Sequence, residues 1–112
     1  MTVSKENAEH YQWGDHCDGW HLAKTPGLSV IQERLPPGAG ESRHRHQYAE
    51  QFFYVLSGEA RLEVAGTEHR LRMGEGAAVP SGAAHQIRNS GDADLHCLVI
   101  STPPSHGDRT PA

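Results

Sequence analysis

Turn-forming residues interrupt this chain at short intervals along its whole length. Its 112 residues include 12 glycines and 7 prolines, many of them in turn dipeptides such as Pro26-Gly27 and Ser81-Gly82. The apolar runs between these turns are short, and no stretch shows a sustained helical period of apolar residues. Short apolar runs between frequent turns are typical of all-β sandwiches and barrels. We therefore predict an all-β fold, and the length predicts a single domain over residues 1–112.

Alternation of polar and apolar residues indicates where the strands of this fold lie. The first long strand is predicted to end at Pro36 and Pro37, because proline cannot donate a hydrogen bond to a neighbouring strand. The predicted strands cover residues 20–24, 28–35, 41–46, 51–56, 59–64, 68–72, 76–80, 85–89 and 95–101. The polar residues 1–12 are expected to form a flexible lead-in, and residues 103–112 an irregular C-terminal tail.

Charge and hydropathy disfavour several classes of partner. The formal net charge is −4 with histidine neutral, whereas a nonspecific nucleic-acid binder needs a broad basic surface. The longest fully apolar run, residues 97–100, is far too short to cross a membrane, and the N-terminus lacks the apolar core of a signal peptide. We therefore expect a soluble cytoplasmic protein in which Cys17 and Cys97 are reduced thiols.

Four side chains in two separate stretches are candidates for one metal site. His44 and His46 stand two residues apart, so on a strand both imidazoles point to the same face. Gln51 opens the next predicted strand, and His85 follows a Pro-x-Gly turn. Three imidazoles and an amide oxygen suit one divalent transition metal, namely Fe, Mn, Ni, Zn, Co or Cu. The alternative is that His44 and His46 are surface histidines on an edge strand.

The spacing of these residues resembles the two sequence motifs of the cupin family. The first motif is Gly, five residues, His-x-His, three or four residues, Glu, six residues, Gly, and Gly38 to Gly58 match it with Gln51 at the usual glutamate. The second motif is Gly, five residues, Pro-x-Gly, two residues, His, three residues, Asn, and Gly74 to Asn89 match it in full. The resemblance implies a jelly-roll barrel of two antiparallel sheets, a metal inside, and commonly a homodimer with exchanged N-terminal strands.

Gln51 departs from the glutamate that is usual in the family, and this affects which small molecule the ion would bind. A glutamine leaves both positive charges of the ion uncompensated, which favours an anionic or enolate-forming ligand and lowers the metal affinity. A minority of cupins resemble this arrangement of three histidines and one glutamine, including those that open the ring of unsaturated uronates. Those carry a carboxylate on the last strand, which residues 95–101 do not contain, and this disfavours the uronate reaction.

Strand alternation also predicts which side chains line the barrel interior. Phe53 and Val55 should face inward with Gln51, and Ile87 and Asn89 should share the face of His85. On residues 28–35, either Val30, Gln32 and Arg34 or Ile31, Glu33 and Leu35 face inward, and core packing favours the second set. The candidates for a catalytic role are His96 as a general base, Tyr48 in a loop over the site, and Gln32 or Arg34 near the metal.

These observations favour a metal-dependent enzyme. The ion would act as a Lewis acid on a small carbonyl- or carboxylate-bearing metabolite, in an isomerisation, ring opening or cyclisation. Two alternatives stay open, namely an Fe-dependent dioxygenase and a noncatalytic module that binds a small molecule. Fold alone does not decide among them.

Overall fold

A computed structural model describes residues 2–112 of the chain, and within them eleven β-strands form two sheets. Their bounds are β1 (Glu9–Trp13), β2 (Cys17–Thr25), β3 (Leu28–Leu35), β4 (His44–Arg45), β5 (Glu50–Ser57), β6 (Glu59–Val64), β7 (Thr67–Arg72), β8 (Gly76–Val79), β9 (His85–Asn89), β10 (Leu95–Thr102) and β11 (Thr110–Pro111). The predicted strand over residues 41–46 is confined to the two residues of β4, preceded by an isolated bridge between Gly40 and Arg88.

Both sheets are antiparallel and mix strands from distant parts of the chain. One sheet has the order β1-β2-β3-β10-β5-β8, and the other has the order β11-β4-β9-β6-β7. Strand β10 is at the centre of the first sheet, where it pairs with both β3 and β5. This arrangement is an all-β jelly roll of two antiparallel sheets, and it confirms the predicted fold class.

The interior between the two sheets is filled by alternate residues of the strands. Every second residue of β10 is buried, from Leu95 to Ser101, and on β5 the buried residues are Gln51, Phe53 and Val55. Ile87 and Asn89 are buried on β9 with His85, as predicted. Burying large side chains such as Phe53 or Ile87 stabilises the fold by about 1.5–3 kcal/mol each.

The register of β3 decides which of its two faces points inward. β10 pairs with it so that Val99 is opposite Ile31 and Cys97 is opposite Glu33, and the next inward position, Leu35, is fully buried. The structure therefore confirms the second of the two predicted faces of this strand. Because side chains alternate, Gln32 and Arg34 point to the outer face of the sheet.

The predictions for the two chain ends are wrong in part. Residues 9–12, expected in a flexible lead-in, belong to β1 and pair with β2, while Met1 is outside the described residues. In the tail expected to be irregular, Thr110 and Pro111 form β11, which pairs with β4. Strand β11 is exposed, and β1 is exposed apart from the half-buried Tyr11 and Trp13. The order of both strands therefore depends on hydrogen bonds to a neighbouring strand, which local sequence patterns do not reveal.

Across residues 2–112, no helix has the length and apolar character needed to cross a membrane.

Candidate metal centre

Three histidines from two elements of the five-stranded sheet converge inside the barrel. His44 on β4 is paired directly with His85 on β9, and His46 follows β4 by one residue. Their ring centroids lie 4.4 to 5.4 Å apart, and all three side chains are buried. One nitrogen from each of the three lies within 4.8 Å of the others. The alternative of surface histidines on an edge strand is therefore wrong.

The same ring nitrogen of each histidine is engaged by a main-chain carbonyl oxygen. The acceptors for His44, His46 and His85 are the carbonyl oxygens of Ser42 at 2.7 Å, Asp108 at 2.6 Å and Ala83 at 2.9 Å. A carbonyl oxygen only accepts hydrogen bonds, so each Nδ1 carries the hydrogen and each Nε2 keeps its lone pair. Fixing the tautomer of a histidine through its second nitrogen is how proteins orient metal ligands.

Gln51 on β5, in the other sheet, is the candidate for a fourth ligand. Its Nε2 donates to the hydroxyl oxygen of Ser101 at 2.9 Å, and the two residues are paired across β5 and β10. Among residues 2–112, the buried Oε1 of Gln51 and the buried Nε2 atoms of His46 and His85 have no hydrogen-bond partner. Buried polar atoms rarely stay unpaired, so three orphaned acceptors in one interior fit a divalent ion.

Burial keeps His44 and His85 in the form that binds metals. It lowers the pKa of His44 to about 4, against a smaller opposing effect of the Ser42 carbonyl. Burial also lowers the pKa of His85. A histidine with a lowered pKa is neutral at physiological pH, and metal binding then needs no prior loss of a proton.

The C-terminal segment, residues 103–111, is folded against the mouth of the barrel, and we call it the C-terminal strap. Asp108 anchors it, because its carboxylate accepts hydrogen bonds from three successive backbone amides of the loop after His46. These donors are Gln47 at 2.8 Å, Tyr48 at 2.9 Å and Ala49 at 3.0 Å. The main-chain carbonyl oxygen of Asp108 also accepts a hydrogen bond from His46. Asp108 therefore holds both the loop of residues 47–49 and the imidazole of His46.

A cavity of about 600 Å³ is lined by His44, His46 and Gln51 at the candidate site. Its walls also include the carboxyl groups of Glu33 on β3 and Glu41 before β4, and the guanidinium of Arg109 from the strap. Glu41 Oε1 accepts from the backbone amide of Ile87 at 3.1 Å, and its Oε2 lies 3.9 Å from Nε2 of His44. Burial raises the pKa of Glu33 to about 7 and that of Glu41 to about 8.

These two carboxyl groups were missed by the sequence reasoning, which looked for an acid only on the last strand. Glu33 carried a usable signal, since it alternates with Ile31 and Leu35 on a face predicted to point inward. A glutamate on an inward face is either paired or functional, because ionised groups are almost never buried otherwise. Glu41 gave no comparable signal, because on the strand predicted over residues 41–46 it alternates to the face opposite His44 and His46.

The four candidates for a catalytic role lie away from the cavity. Gln32 Nε2 is 3.5 Å from His96 Nδ1, and both belong to the face of their strands that points out of the barrel. Arg34 pairs with Asp18 at 2.7 Å on that same outer face. Tyr48 is 68% exposed, and none of the four lines the cavity within residues 2–112. The structure thus corrects these assignments. The register of β3 and β10 turns Gln32, Arg34 and His96 outward, and the side chain of Tyr48 is exposed to solvent.

The raised pKa of Glu33 predicts a stability difference that depends on pH. Between pH 4.5 and about 7 the native state holds a proton that the unfolded chain has released, so this group destabilises the fold as the pH rises. Glu33→Gln should therefore gain stability relative to the wild type over this window, by at most about 3 kcal/mol. Urea unfolding of the metal-free proteins at about pH 5 and about pH 8 measures the difference.

Glu50→Gln, at an exposed carboxyl of β5, is the matched control and should show no such gain. An equal stability difference between Glu33→Gln and the wild type at the two pH values would contradict the assignment.

The family of the chain follows from its match to known proteins. Residues 31–101 match the family model of the cupin domain. The chain is a cupin. This confirms the resemblance drawn from the two motifs, and members of the family commonly bind metals and small-molecule ligands.

Three similar proteins illustrate the range of the family. Protein SchB of Streptomyces halstedii is 35% identical over 72 residues, which are 64% of this cupin and 49% of that protein. The oxalate-binding protein of Thermotoga maritima is 31% identical over 67 residues, 60% of this chain and 55% of that one. This cupin therefore spans about half the length of the curated relatives it matches. A solved structure of a sugar phosphate isomerase of the cupin superfamily, from Silicibacter pomeroyi, is 26% identical in sequence. It superposes with a TM-score of 0.82 over 93% of this chain and 76% of that one.

Proposed function

We propose that this cupin is an enzyme that binds one divalent transition metal and acts on a small carbonyl- or carboxylate-bearing metabolite. His44, His46, His85 and Gln51 would hold the ion. The observation that carries the proposal is the set of buried acceptor atoms without hydrogen-bond partners on Gln51, His46 and His85, because Gln51 and His46 also line a cavity large enough for a metabolite. A filled barrel would instead have favoured a structural ion.

The ion, when bound, supplies a Lewis acid that polarises a carbonyl or carboxylate oxygen of the substrate. The protein supplies the proton-transfer groups. The carboxyl of Glu41 has its Oε2 3.9 Å from Nε2 of His44, so it is positioned to donate or accept a proton beside the metal centre. Phe53, Val99 and Ile31 line the cavity with apolar surface and so limit the water that reaches a bound substrate. These roles suit isomerisation, ring opening or cyclisation.

The charges around the cavity favour an anionic substrate. Three neutral imidazoles and a neutral amide leave the charge of a divalent ion uncompensated. Arg109 donates only to the Ser42 carbonyl oxygen at 3.3 Å, and in residues 2–112 no carboxylate forms an ion pair with it. An unpaired guanidinium at a cavity wall is a carboxylate-binding group. The names of the two relatives, oxalate-binding protein and sugar phosphate isomerase, both refer to small anions and support the proposal.

A second candidate is a noncatalytic binding protein, which the name of the oxalate-binding relative favours. In that case the ion would anchor an acid that is bound and released unchanged. The two candidates differ in one observable. Incubation of the metal-loaded protein with a panel of small keto and hydroxy acids, followed by NMR, would show new products only for an enzyme.

Metal analysis of the wild type and of Gln51→Glu tests the metal centre itself. We expect about one equivalent of metal in the wild type, and roughly tenfold tighter binding in Gln51→Glu, because a carboxylate neutralises part of the ionic charge. Iron in the wild type would favour the dioxygenase alternative, which a measurement of oxygen consumption would test. A wild type that stays metal-free under every reconstitution, while Gln51→Glu takes up metal, would contradict the proposal.

Homodimer formation is a further proposal, supported by half-exposed apolar side chains such as Phe52 and Leu56 on the outer face of the six-stranded sheet. The cytoplasmic location and the lack of a nucleic-acid partner stay predictions from the sequence.

A further inference from the structure

A glycine in β2 makes room for a tyrosine to lie across the inner face of the six-stranded sheet. Tyr11 on β1 is opposite Gly19 on β2, and Gly19 is opposite Glu33 on β3. A methyl group at Gly19 would lie 2.3 Å from Cζ of Tyr11 and 2.6 Å from its hydroxyl oxygen. Such distances are far inside van der Waals contact, so the tyrosine ring occupies the space that any other residue at position 19 would fill.

Three polar side chains in this part of the cavity, those of Tyr11, His21 and Glu33, form no hydrogen bond within residues 2–112. Tyr11, His21 and Glu33 all line the cavity, and the rings of Tyr11 and His21 lie 5.0 Å apart. Within residues 2–112, the buried Nδ1 of His21 has no hydrogen-bond partner. Burial and the charge of Glu33 raise the pKa of Tyr11, which keeps its hydroxyl protonated as a donor. Unpaired donors and acceptors that face a cavity are satisfied by a ligand or by water.

This polar cluster is separated from the metal centre by an apolar band. Gln51 is level with Ser101 and Ser29 across the sheet, whereas Glu33 is four residues further along β3. Four residues of strand correspond to roughly 13 Å. The row between Glu33 and Gln51 consists of Phe53, Val99 and Ile31, and His21 stands at the β2 end of this row. The cavity thus has a metal-binding end, an apolar middle and a hydrogen-bonding end.

We propose that Tyr11, His21 and Glu33 form a hydroxyl-binding subsite, and that the substrate is a carboxylic acid carrying a hydroxyl group remote from its carboxylate. The proposal rests on the proposed function, which places the carboxylate at the metal centre. The phenol of Tyr11 donates to the substrate hydroxyl, and the carboxyl of Glu33 accepts from it. Gly19 acts as a specificity-determining residue, because it allows the phenol to reach this position.

Two acids that differ by one hydroxyl group provide the probe. Calorimetric titration of the Mn²⁺-loaded protein with 6-hydroxyhexanoate and with hexanoate measures what the remote hydroxyl contributes. We expect 6-hydroxyhexanoate to bind about tenfold more tightly, since one hydroxyl gains two hydrogen bonds in the subsite. Gly19→Ala should displace the ring of Tyr11 and bring the two dissociation constants together, with metal stoichiometry unchanged.

Two further variants make the result decisive. Gly27→Ala is the matched control, because a methyl group there meets nothing within 4 Å, and it should keep the tenfold preference of the wild type. Tyr11→Phe keeps the ring and removes only the hydroxyl, so it tests the subsite even if Gly19→Ala fails to fold. Its preference for 6-hydroxyhexanoate should also be lost.

The outcomes separate the subsite from the proposed function. Equal binding of the two acids by the wild type, or an unchanged preference in Gly19→Ala and Tyr11→Phe, would overturn the subsite alone. Failure of both acids to bind the metal-loaded wild type would contradict the carboxylate-binding role of the metal centre, and the subsite proposal with it.

Discussion

Replacing His85 with alanine is expected to abolish specific metal binding by this protein. His85 is fully buried at the centre of the candidate site, where its Nε2 has no partner among residues 2–112. Its Nδ1 donates to the Ala83 carbonyl oxygen at 2.9 Å, so the ring is fixed with Nε2 facing the other histidines. Loss of one of three imidazoles leaves too few ligands for a stable site, and we expect the affinity to fall at least about a hundredfold.

Thermal unfolding with and without metal measures this loss. A ligand at one hundred times its dissociation constant stabilises the native state by about 2.7 kcal/mol, so the wild type should melt at a clearly higher temperature when metal is added. In His85→Ala this shift should vanish, and so should any turnover. His69→Ala, at an exposed position of β7, is the matched control and should keep the full shift. A shift of wild-type size in His85→Ala would exclude the three-histidine centre.

Replacing Asp108 with alanine is expected to release the C-terminal strap and to weaken metal binding at a distance from the ion. The carboxylate accepts from three loop amides, and these bonds hold the main chain in the position from which the Asp108 carbonyl orients His46. The same amides lower the pKa of Asp108, the Tyr48 amide most of all. Loss of a group that orients a metal ligand typically costs 10–100-fold in affinity, and we expect a similar loss here.

Hydrogen exchange distinguishes this positioning role from a general loss of stability. In Asp108→Ala the amides of residues 47–49 should exchange much faster, while those of β10 should keep their protection. Asp108→Asn retains an amide oxygen as acceptor and should recover part of the affinity. Asp92→Ala, at an exposed loop position, is the control. Unchanged metal affinity together with fast exchange at residues 47–49 would show that the strap does not position His46.

The lowered pKa of Asp108 also predicts how the stability lost in Asp108→Ala changes with pH. A carboxyl whose pKa is lower in the folded state stabilises that state above its ordinary pKa and loses this contribution as the pH falls. The difference in stability between the wild type and Asp108→Ala should therefore shrink in acid.

How much of the site could be predicted depends on the range of the interactions involved. His44, His46 and Gln51 lie within eight residues, and His85 follows a turn of fixed geometry, so spacing and strand alternation were sufficient to bring them together. The assignment of His96, Gln32 and Arg34 to the site did not hold, because alternation alone leaves two faces open on each strand. Only the pairing of β3 with β10 selects one of them.

The sequence by itself determined the all-β class and the inward faces of β5 and β9, because each of these depends on periodicity within a short segment. The four proposed metal ligands were indicated by the spacing of residues in two separate stretches. Tertiary structure alone decided the rest. The hydrogen bond from His46 to Asp108 joins residues 62 positions apart, and the cavity positions of Tyr11, Glu33 and Arg109 depend on strand order and on the docking of the strap. No local pattern encodes such contacts, since they exist only once the two sheets have closed around a common interior.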